Sequence, residues 1–327
     1  MDAALLNNTF IFNLRIARFD LPPQAVYPVV ITGTLMYLFS VLGNITILAL
    51  IVTQPRLHKP MFYIMFSLPL ADLVGITACL PRILVDIVTQ TNMVYYPTCV
   101  MQGFLLHLSG TSELFVLAAM SIDRYIAICK PLRYHSIMNP STVCGIIALV
   151  WGVDVVLIVV LFALQVRLTK CKSYIYNVFC DNVSLIRLSC GDDLAINNIY
   201  SLFITGFAQG VSLAIQLFCY ASILKACISR TQTDARSKAV NTCMAQLISF
   251  FLFELVASFM IISYRFENLP PNAQKISGIL MPIMLPLVNP IIYGMKTSDI
   301  RNTFLIVLKK KQQKQKVGTA GIACQNS

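Results

Sequence analysis

Seven stretches of mostly apolar residues, each about twenty residues or longer, recur along the chain and decide its fold class. A helix of that length crosses about 30 Å of hydrocarbon, whereas the strands of a membrane barrel need about half as many residues. We therefore predict an all-α membrane protein, a seven-transmembrane helix bundle with a short amphipathic C-terminal helix from about Thr297 to Leu308. The seven predicted spans run roughly from Val26 to Val52, Met61 to Val85, Cys99 to Ile128, Thr142 to Leu164, Ile196 to Ala226, Val240 to Ser263 and Ile276 to Met295.

The composition supports a membrane protein and argues against a soluble or nucleic-acid-binding one. Of the 327 residues, 57% are hydrophobic and only 12% are charged, too few to cover the surface of a soluble domain. The formal net charge is +11, but Lys and Arg flank the apolar stretches instead of alternating with aromatic residues. We therefore expect contacts with membrane lipids, around the basic tail run Lys309 to Lys311, and no nucleic-acid partner.

The basic residues also predict the orientation. Of the 25 Lys and Arg, sixteen lie at the inner ends of spans one, three and five, in the segments that follow them, or in the tail, and eight lie on the opposite side. The positive-inside rule then places residues 1–25 outside, residues 26–295 in the bundle and residues 296–327 in the cytoplasm. Asn7 and Asn182 begin glycosylation sequons on the predicted outer side.

Four of the eleven cysteines fall on the predicted outer face, where disulfides persist. They allow three pairings, and the spacing alone does not choose among them. The four residues are Cys99, Cys171, Cys180 and Cys190.

Acidic residues inside predicted spans are costly and mark candidate functional positions. Asp72 and Glu113 lie mid-span in neighbouring helices, near Asn44 and Asn289 by depth. Two close carboxylates share a proton or hold a cation, so the pair is either a sodium or proton site that biases two bundle states or a protonated, hydrogen-bonded polar core. Asp154 is a third deep acid, which is either functional or hydrogen-bonded to a neighbouring span.

Two further features suggest moving parts near the cytoplasmic side. Asp123-Arg124-Tyr125 ends span three, and an Arg released from its Asp could bind a partner inserted between the helices; alone, it would equally fit an arginine that extends to the interface. Pro282, Pro286 and Pro290 predict a hinge in span seven, where the Asn289 amide can satisfy carbonyls freed by the kink.

A weaker packing motif lies in span five. Gly206 and Gly210 form a G-x-x-x-G pattern, which predicts close helix packing and nothing more.

Several runs of residues at matching depths carry a family resemblance. The most specific run ends span three and reads MSIDRYIAICKPLRY, from Met120 to Tyr134. The other runs are Gly43-Asn44, Leu57 to Tyr63, Leu70 to Asp72, Lys238 to Cys243 and Asn289 to Tyr293. In these runs the chain resembles the rhodopsin-like G-protein-coupled receptors, and more narrowly the vertebrate odorant receptors of the fish-like (class I) kind.

The resemblance implies pairings, roles and partners. Cys99 would pair with Cys180, and Cys171 with Cys190. Trp151 would be the packing tryptophan of span four. The implied setting is the plasma membrane, with a heterotrimeric G protein of the stimulatory olfactory type that raises cyclic AMP and a small odorant as ligand. The implied activation switch comprises Asp123, Arg124, Tyr125, Asn289, Pro290 and Tyr293.

The sequence departs from the family pattern in span six. Gln246 stands where the family usually has a His, and Phe253-Glu254-Leu255 replaces the usual Phe-Tyr-Gly. Glu254 could therefore face the ligand or bond a neighbouring helix as a neutral acid.

The ligand pocket is expected between the outer halves of spans three, five, six and seven. His107 and Arg265 could neutralise a carboxylate, which makes an anionic ligand one hypothesis; alternatively, Arg265 only reaches towards water. By depth, the candidate ligand-binding residues are Leu106, His107, Gly110, Thr111, Gln209, Phe253, Glu254, Ala257 and Arg265.

A secondary transporter and an enzyme are the two alternatives to a receptor. The acids Asp72, Glu113, Asp154 and Glu254 could form the proton path of a secondary transporter, but the chain shows no repeated halves. The three His residues are too scattered for a zinc site, so we predict no enzyme, and no cofactor beyond a sodium ion at Asp72 and Glu113.

Overall fold

The computed structural model describes residues 13–190, 194–228, 233–263 and 271–325. Within these ranges, six helices are long and apolar enough to cross a membrane, and the helix of span six contains a shorter apolar segment, Gln246–Met260. The predicted seven-helix bundle is thereby confirmed. The spans are Pro23–Thr53, Pro60–Met65 with Ser67–Thr89, Tyr96–Cys129, Pro140–Val166, Leu194–Ile228, Thr233–Ser263 and Pro271–Lys296.

Proline determines where several of these helices begin and where span two breaks. Spans one to four each carry a proline in their first two positions, where its missing N–H costs no helical hydrogen bond. Pro69 has no N–H to donate to the Met65 carbonyl four residues earlier, and the second helix is interrupted at Phe66 between them. Short 3-10 turns at Pro55–Leu57 and Pro131–Arg133 and a helical turn at Tyr134–Ile137 form the first two inner loops.

The tail helix is longer than the sequence predicted. It begins at Ser298, as expected, but continues to Gln325 instead of ending near Leu308. The residues after Leu308 are mainly Lys and Gln, which are good helix formers, and no proline interrupts them. Lys59 of the first inner loop holds the start of this helix through an ion pair with Asp299, with Nζ 2.7 Å from Oδ2.

A small outer sheet, which the sequence analysis did not predict, ties the amino-terminal segment to two loops. Strand β1 (Asn13–Ile16) pairs antiparallel with β2 (Met93–Tyr95) and parallel with β3 (Tyr174–Ile175). Leu14 faces Val94 in the register, Ile16 faces Ile175, and all four side chains are buried. The strands have two to four residues, too few for an alternating pattern to stand out in the sequence.

The second outer loop is held by two disulfides. The structure joins Cys99 to Cys180 and Cys171 to Cys190, with Cα separations of 5.3 and 5.7 Å, and these are the pairs that the resemblance implied. The neighbouring Lys170 side chain is buried and donates to the Gln165 carbonyl at 2.8 Å and to Ser189 Oγ at 2.9 Å. Burial lowers the pKa of the Lys170 ammonium group to about 8.

The largest core cluster of the described residues lies in the half of the bundle next to the tail helix. Phe62, Met120 and Tyr293, from spans two, three and seven, are almost completely enclosed there. Trp151 of span four packs beside this region and donates from Nε1 to Ser67 Oγ at 3.1 Å. The tryptophan therefore links spans two and four, in keeping with its implied packing role.

Spans one and seven approach each other closely at Gly43. A Cβ at this position would lie 2.9 Å from Cβ of Pro290, a rigid neighbour that cannot move aside as a flexible side chain would. Gly206 and Gly210 differ, because a Cβ at either would meet no atom of the described chain within 4 Å. The close packing predicted from G-x-x-x-G is therefore wrong for contacts within this chain.

We predict that Gly43→Val destabilises the bundle, because the added carbons must push span one away from Pro290. The expected cost is about 1–3 kcal/mol, as for other overpacked cores. Thermal unfolding of the purified protein and surface expression would measure it. Gly210→Val is the matched control and should leave both unchanged; equal losses in the two variants would contradict the packing argument.

Candidate functional site

A cavity of about 350 Å³ opens between the outer halves of spans three, five, six and seven. This volume is in the range of small-molecule sites in proteins. The second outer loop closes it from above through Phe179 and Asp181. Seven of the nine predicted ligand residues lie on its wall: Leu106, His107, Gly110, Thr111, Gln209, Phe253 and Ala257.

The other two predicted ligand residues are not part of the cavity wall as described. Arg265 lies outside the described residues. Glu254 is partly buried on span six but does not line the cavity, and its Oε1 atom accepts no hydrogen bond from a described residue. The proposed role of Glu254 in contacting the ligand therefore gains no support from the geometry.

Two charged cavity residues were missed by the sequence analysis, Asp181 and Arg187. They flank a short loop helix, Asn182–Ile186, which Asp181 caps by accepting a hydrogen bond from the Ser184 amide at 2.8 Å. The disulfide at Cys180 fixes this helix above span three. The signal that could have revealed them is an N-capping Asp directly after a loop cysteine.

The same loop helix corrects the glycosylation prediction at Asn182. This side chain is only 1% exposed and its Nδ2 atom lies 3.4 Å from Ser201 Oγ, so the folded chain leaves no room for a glycan on its amide nitrogen. The sequon at Asn7 lies outside the described residues.

His107 is oriented by its own helix. Its Nδ1 atom lies 2.9 Å from the Gly103 carbonyl, which only accepts, so Nδ1 carries the hydrogen and Nε2 is left for a ligand. The ring packs edge-on against Phe162, with 5.6 Å between centroids. Asp181 is near enough to act electrostatically on this ring.

Below the cavity, the Asn289 amide bridges the two acids Asp72 and Glu113. Its Nδ2 atom lies 2.7 Å from Glu113 Oε1 and 3.1 Å from Asp72 Oδ2. Asn289 thus lies beside the acidic pair as predicted by depth. Among the described residues, no group of three or more His, Cys, Asp or Glu side chains is placed to hold a metal ion.

The hinge in span seven is stabilised from span one. Pro290 has no N–H to give to the Pro286 carbonyl, and that oxygen instead accepts from Ser40 Oγ at 2.8 Å and Asn44 Nδ2 at 2.9 Å. The prediction that Asn289 would satisfy the freed carbonyl is therefore wrong. Asn289 remains available to the acids because Ser40 and Asn44 take that role.

The end of the bundle next to the tail helix holds the predicted switch residues Asp123, Arg124 and Tyr125. Arg124 lies 3.6 Å from Asp123, whose other oxygen accepts from the Tyr134 hydroxyl at 2.9 Å. The Tyr125 ring packs on Phe218 of span five.

A second set of hydrogen bonds joins three helices at this end. Tyr220 of span five donates to Gln246 Oε1 of span six at 3.2 Å, and its hydroxyl lies 3.4 Å from Ser121 Oγ of span three. Gln246, the departure from the family pattern, thus takes part in holding the inner ends together.

The bundle, the outer disulfides and the cytoplasmic motifs have a counterpart in known proteins. A family model described as "Olfactory receptor" matches residues 33–311. This chain belongs to the olfactory receptor family.

Curated relatives agree over most of their length. Human olfactory receptor 52J3 is 34% identical over 278 residues, which is 84% of this chain and 89% of the relative. Human olfactory receptor 51I1 is 32% identical over 283 residues, covering 85% and 89%. Mouse olfactory receptor 5H19 is 30% identical over 284 residues, covering 86% and 92%.

Membership decides among the functions weighed above. As an olfactory receptor, the protein is a multi-pass membrane receptor for small odorants that acts through a G protein, and it is not an enzyme. The intramembrane acids therefore belong to a receptor bundle and not to a transport path.

One acid of this olfactory receptor has no visible role. Asp154 of span four is 0% exposed, and neither carboxylate oxygen has a hydrogen-bond partner among the described residues. The sequence also allowed Asp154 to form a hydrogen bond with a neighbouring span, and among the described residues it does not form one. An unpartnered buried carboxyl group costs stability.

We predict that Asp154→Leu stabilises the olfactory receptor, because a side chain of similar size replaces an unpartnered polar group. A gain of about 1 kcal/mol would raise the unfolding temperature of a chain this size by roughly 2–4 °C. A thermal unfolding assay on purified protein measures the change, with odorant-evoked signalling tested alongside. Lost signalling without any gain in stability would show that Asp154 has a functional role.

Proposed function

We propose that this olfactory receptor recognises an anionic odorant in the cavity and couples to the stimulatory olfactory G protein, raising cyclic AMP. The observation that carries the ligand class is that two basic side chains, His107 and Arg187, lie on an otherwise mostly apolar wall. An apolar cavity with a few polar anchors suits a small amphiphile. A guanidinium group offers a planar fork to a carboxylate.

Asp181 restricts where such an anion would bind. It lines the same outer part of the cavity, and its carboxylate repels another negative charge. The ligand's carboxylate would therefore lie near Arg187 and His107 Nε2, with its apolar part directed towards Phe253 and Leu285. Arg265 would be a further cation near this end, as the sequence analysis suggested.

We propose the orientation with the amino-terminus outside and the tail in the cytoplasm of the plasma membrane. The excess of basic residues on the tail side supports it. So does the position of both disulfides in the opposite loops, since disulfides persist in oxidising compartments. The fish-like subclass stays a prediction from the motifs.

The acidic pair would share a proton or bind a sodium ion. Asp72 and Glu113 are brought together on one amide, and two bare charges at that separation repel strongly in a low-dielectric interior. Their carboxylate oxygens are the hard donors that such a cation prefers. The role of the ion or proton would be to bias the bundle between two states.

In this proposal, the odorant shifts a pre-existing equilibrium by binding the open bundle better. The inner end of span six moves outward, breaking the Tyr220–Gln246 bond, and a cleft opens beside Arg124. A helix of the G protein then docks there, and Arg124, freed from Asp123, contacts its carbonyls.

Arg124→Ala is expected to abolish odorant-evoked cyclic AMP while leaving surface expression largely intact. The reason is that the alanine side chain lacks the permanently charged guanidinium group that would contact the partner's carbonyls. The measurement is cyclic AMP in cells that express the receptor with the olfactory G protein, screened against acids, esters, alcohols, aldehydes, amino acids and amines. Signalling that survives the substitution would refute this role of Arg124.

Carboxylic acids should be at least about tenfold more potent than their methyl esters, because only the acid forms charge-assisted hydrogen bonds. Arg187→Gln should remove most of that preference. Arg167→Gln is the matched control, since Arg167 belongs to the same outer loop but does not line the cavity. Equal potency of acids and esters would eliminate the anionic ligand.

A further inference from the structure

Glu113 belongs to two structural features at once. It lines the odorant cavity, and it accepts the Asn289 hydrogen bond at 2.7 Å. Its partner acid, Asp72, does not line the cavity. Glu113 is therefore the member of the acidic pair that a bound ligand can reach.

One carboxylate oxygen of Glu113 is available for such a contact. Asn289 uses Oε1, whereas Oε2 accepts no hydrogen bond from a described residue. The residue keeps 4% of its surface exposed, and since it lines the cavity, that surface faces the ligand space. Oε2 is an acceptor without a described donor beside the cavity, where a hydrogen-bond donor on a ligand would be favoured over an apolar group.

The cavity has a charged outer end and this acceptor at its inner end. Glu113 follows His107 by six residues on span three, which places the two about 9 Å apart along the helix axis. Between these depths span three contributes Ser109, Gly110 and Thr111 to the wall, and Met281 of span seven lies against Gly110. The shape suits an elongated molecule with polar groups at both ends.

We infer that Glu113 is a deep ligand subsite that takes a hydrogen-bond donor, a hydroxyl or ammonium group, at the far end of an elongated odorant. This inference rests on the proposed function only for the place of the ligand in the cavity, not for a carboxylate at the outer end. A carboxylate is disfavoured at the inner end, because it would face both Glu113 and Asp72.

A donor bound at Glu113 Oε2 would share this carboxylate with Asn289, which uses Oε1. The Asn289 amide also donates to Asp72, at 3.1 and 3.3 Å. Pro286 lines the cavity as well, three residues before Asn289. Occupation of the deep subsite therefore acts directly on the hinge of span seven, and terminal donors should raise potency.

The first test asks whether the cavity reaches Glu113, and it needs no agonist. Purified Glu113→Cys receptor is treated with aminoethyl methanethiosulfonate, a small cationic thiol reagent, and labelling is followed at each cysteine by mass spectrometry. Asp72→Cys is the matched control from the same cluster, outside the cavity wall. We expect labelling at position 113 to be at least about tenfold faster; equal rates at the two positions would overturn the inference.

The second test uses ligands on the isosteric variant Glu113→Gln, which keeps an acceptor for Asn289. The probes are octanoic acid, its ω-hydroxy and ω-amino derivatives, octanol and octylamine. In the native receptor, a terminal donor should raise potency about tenfold or more. Glu113→Gln should remove the advantage of the amino group but keep part of that of the hydroxyl group, because an amide oxygen still accepts a hydrogen bond.

Glu254→Gln is the control, since it removes a carboxylate outside the cavity wall and should change neither advantage. An advantage that is the same in Glu113→Gln and in the native receptor would overturn the inference. If the potency of octanol and octylamine falls in Glu113→Gln while all acids are inactive, the anionic ligand is refuted and the deep subsite is retained. If acids activate the receptor but a terminal donor does not raise their potency, the deep subsite is refuted and the anionic ligand is retained.

Discussion

Hydrocarbon offers no hydrogen bonds, so a polar group inside the bundle costs stability unless it finds its partner within the protein. The carbonyl of Pro286 is where this constraint has the widest consequences. Pro290 cannot donate to it, and Ser40 and Asn44 do so from span one. Because the kink is satisfied from outside span seven, the Asn289 amide is free to join Asp72 and Glu113. Spans one, two, three and seven are held together by this one set of bonds.

These bonds also connect the two ends of the receptor. Glu113 lines the cavity and contacts Asn289 in the proline-containing part of span seven, and Tyr293 one helical turn further lies in the largest core cluster of the described residues. A contiguous series of contacts is not by itself proof of coupling. What makes this one suitable is that a helix weakened by three prolines lies next to an acceptor that a ligand can reach.

The sequence predicted those features that depend on composition over many residues. Seven spans followed from hydropathy, and the disulfide partners followed from resemblance. Features set by a few residues in three-dimensional context were missed. Asp181 and Arg187 reach the cavity only because the Cys99–Cys180 disulfide fixes a five-residue helix above span three. Asn182 matched a sequon but is buried by the same helix, and the outer strands are too short to show a period.

The apolar and the charged side chains of the cavity come from different parts of the fold. The spans contribute mainly apolar side chains, whereas Asp181 and Arg187 come from a loop helix that a disulfide and an N-cap hold in place. Backbone that is already fixed loses little conformational entropy when a ligand binds, so the side chains on it discriminate among ligands at lower cost. Changes at Asp181 or Arg187 would alter the charge that the ligand meets without disturbing the polar bonds of the bundle. Glu113 differs, because it serves both the ligand and the hinge, and a change there alters recognition and switching together.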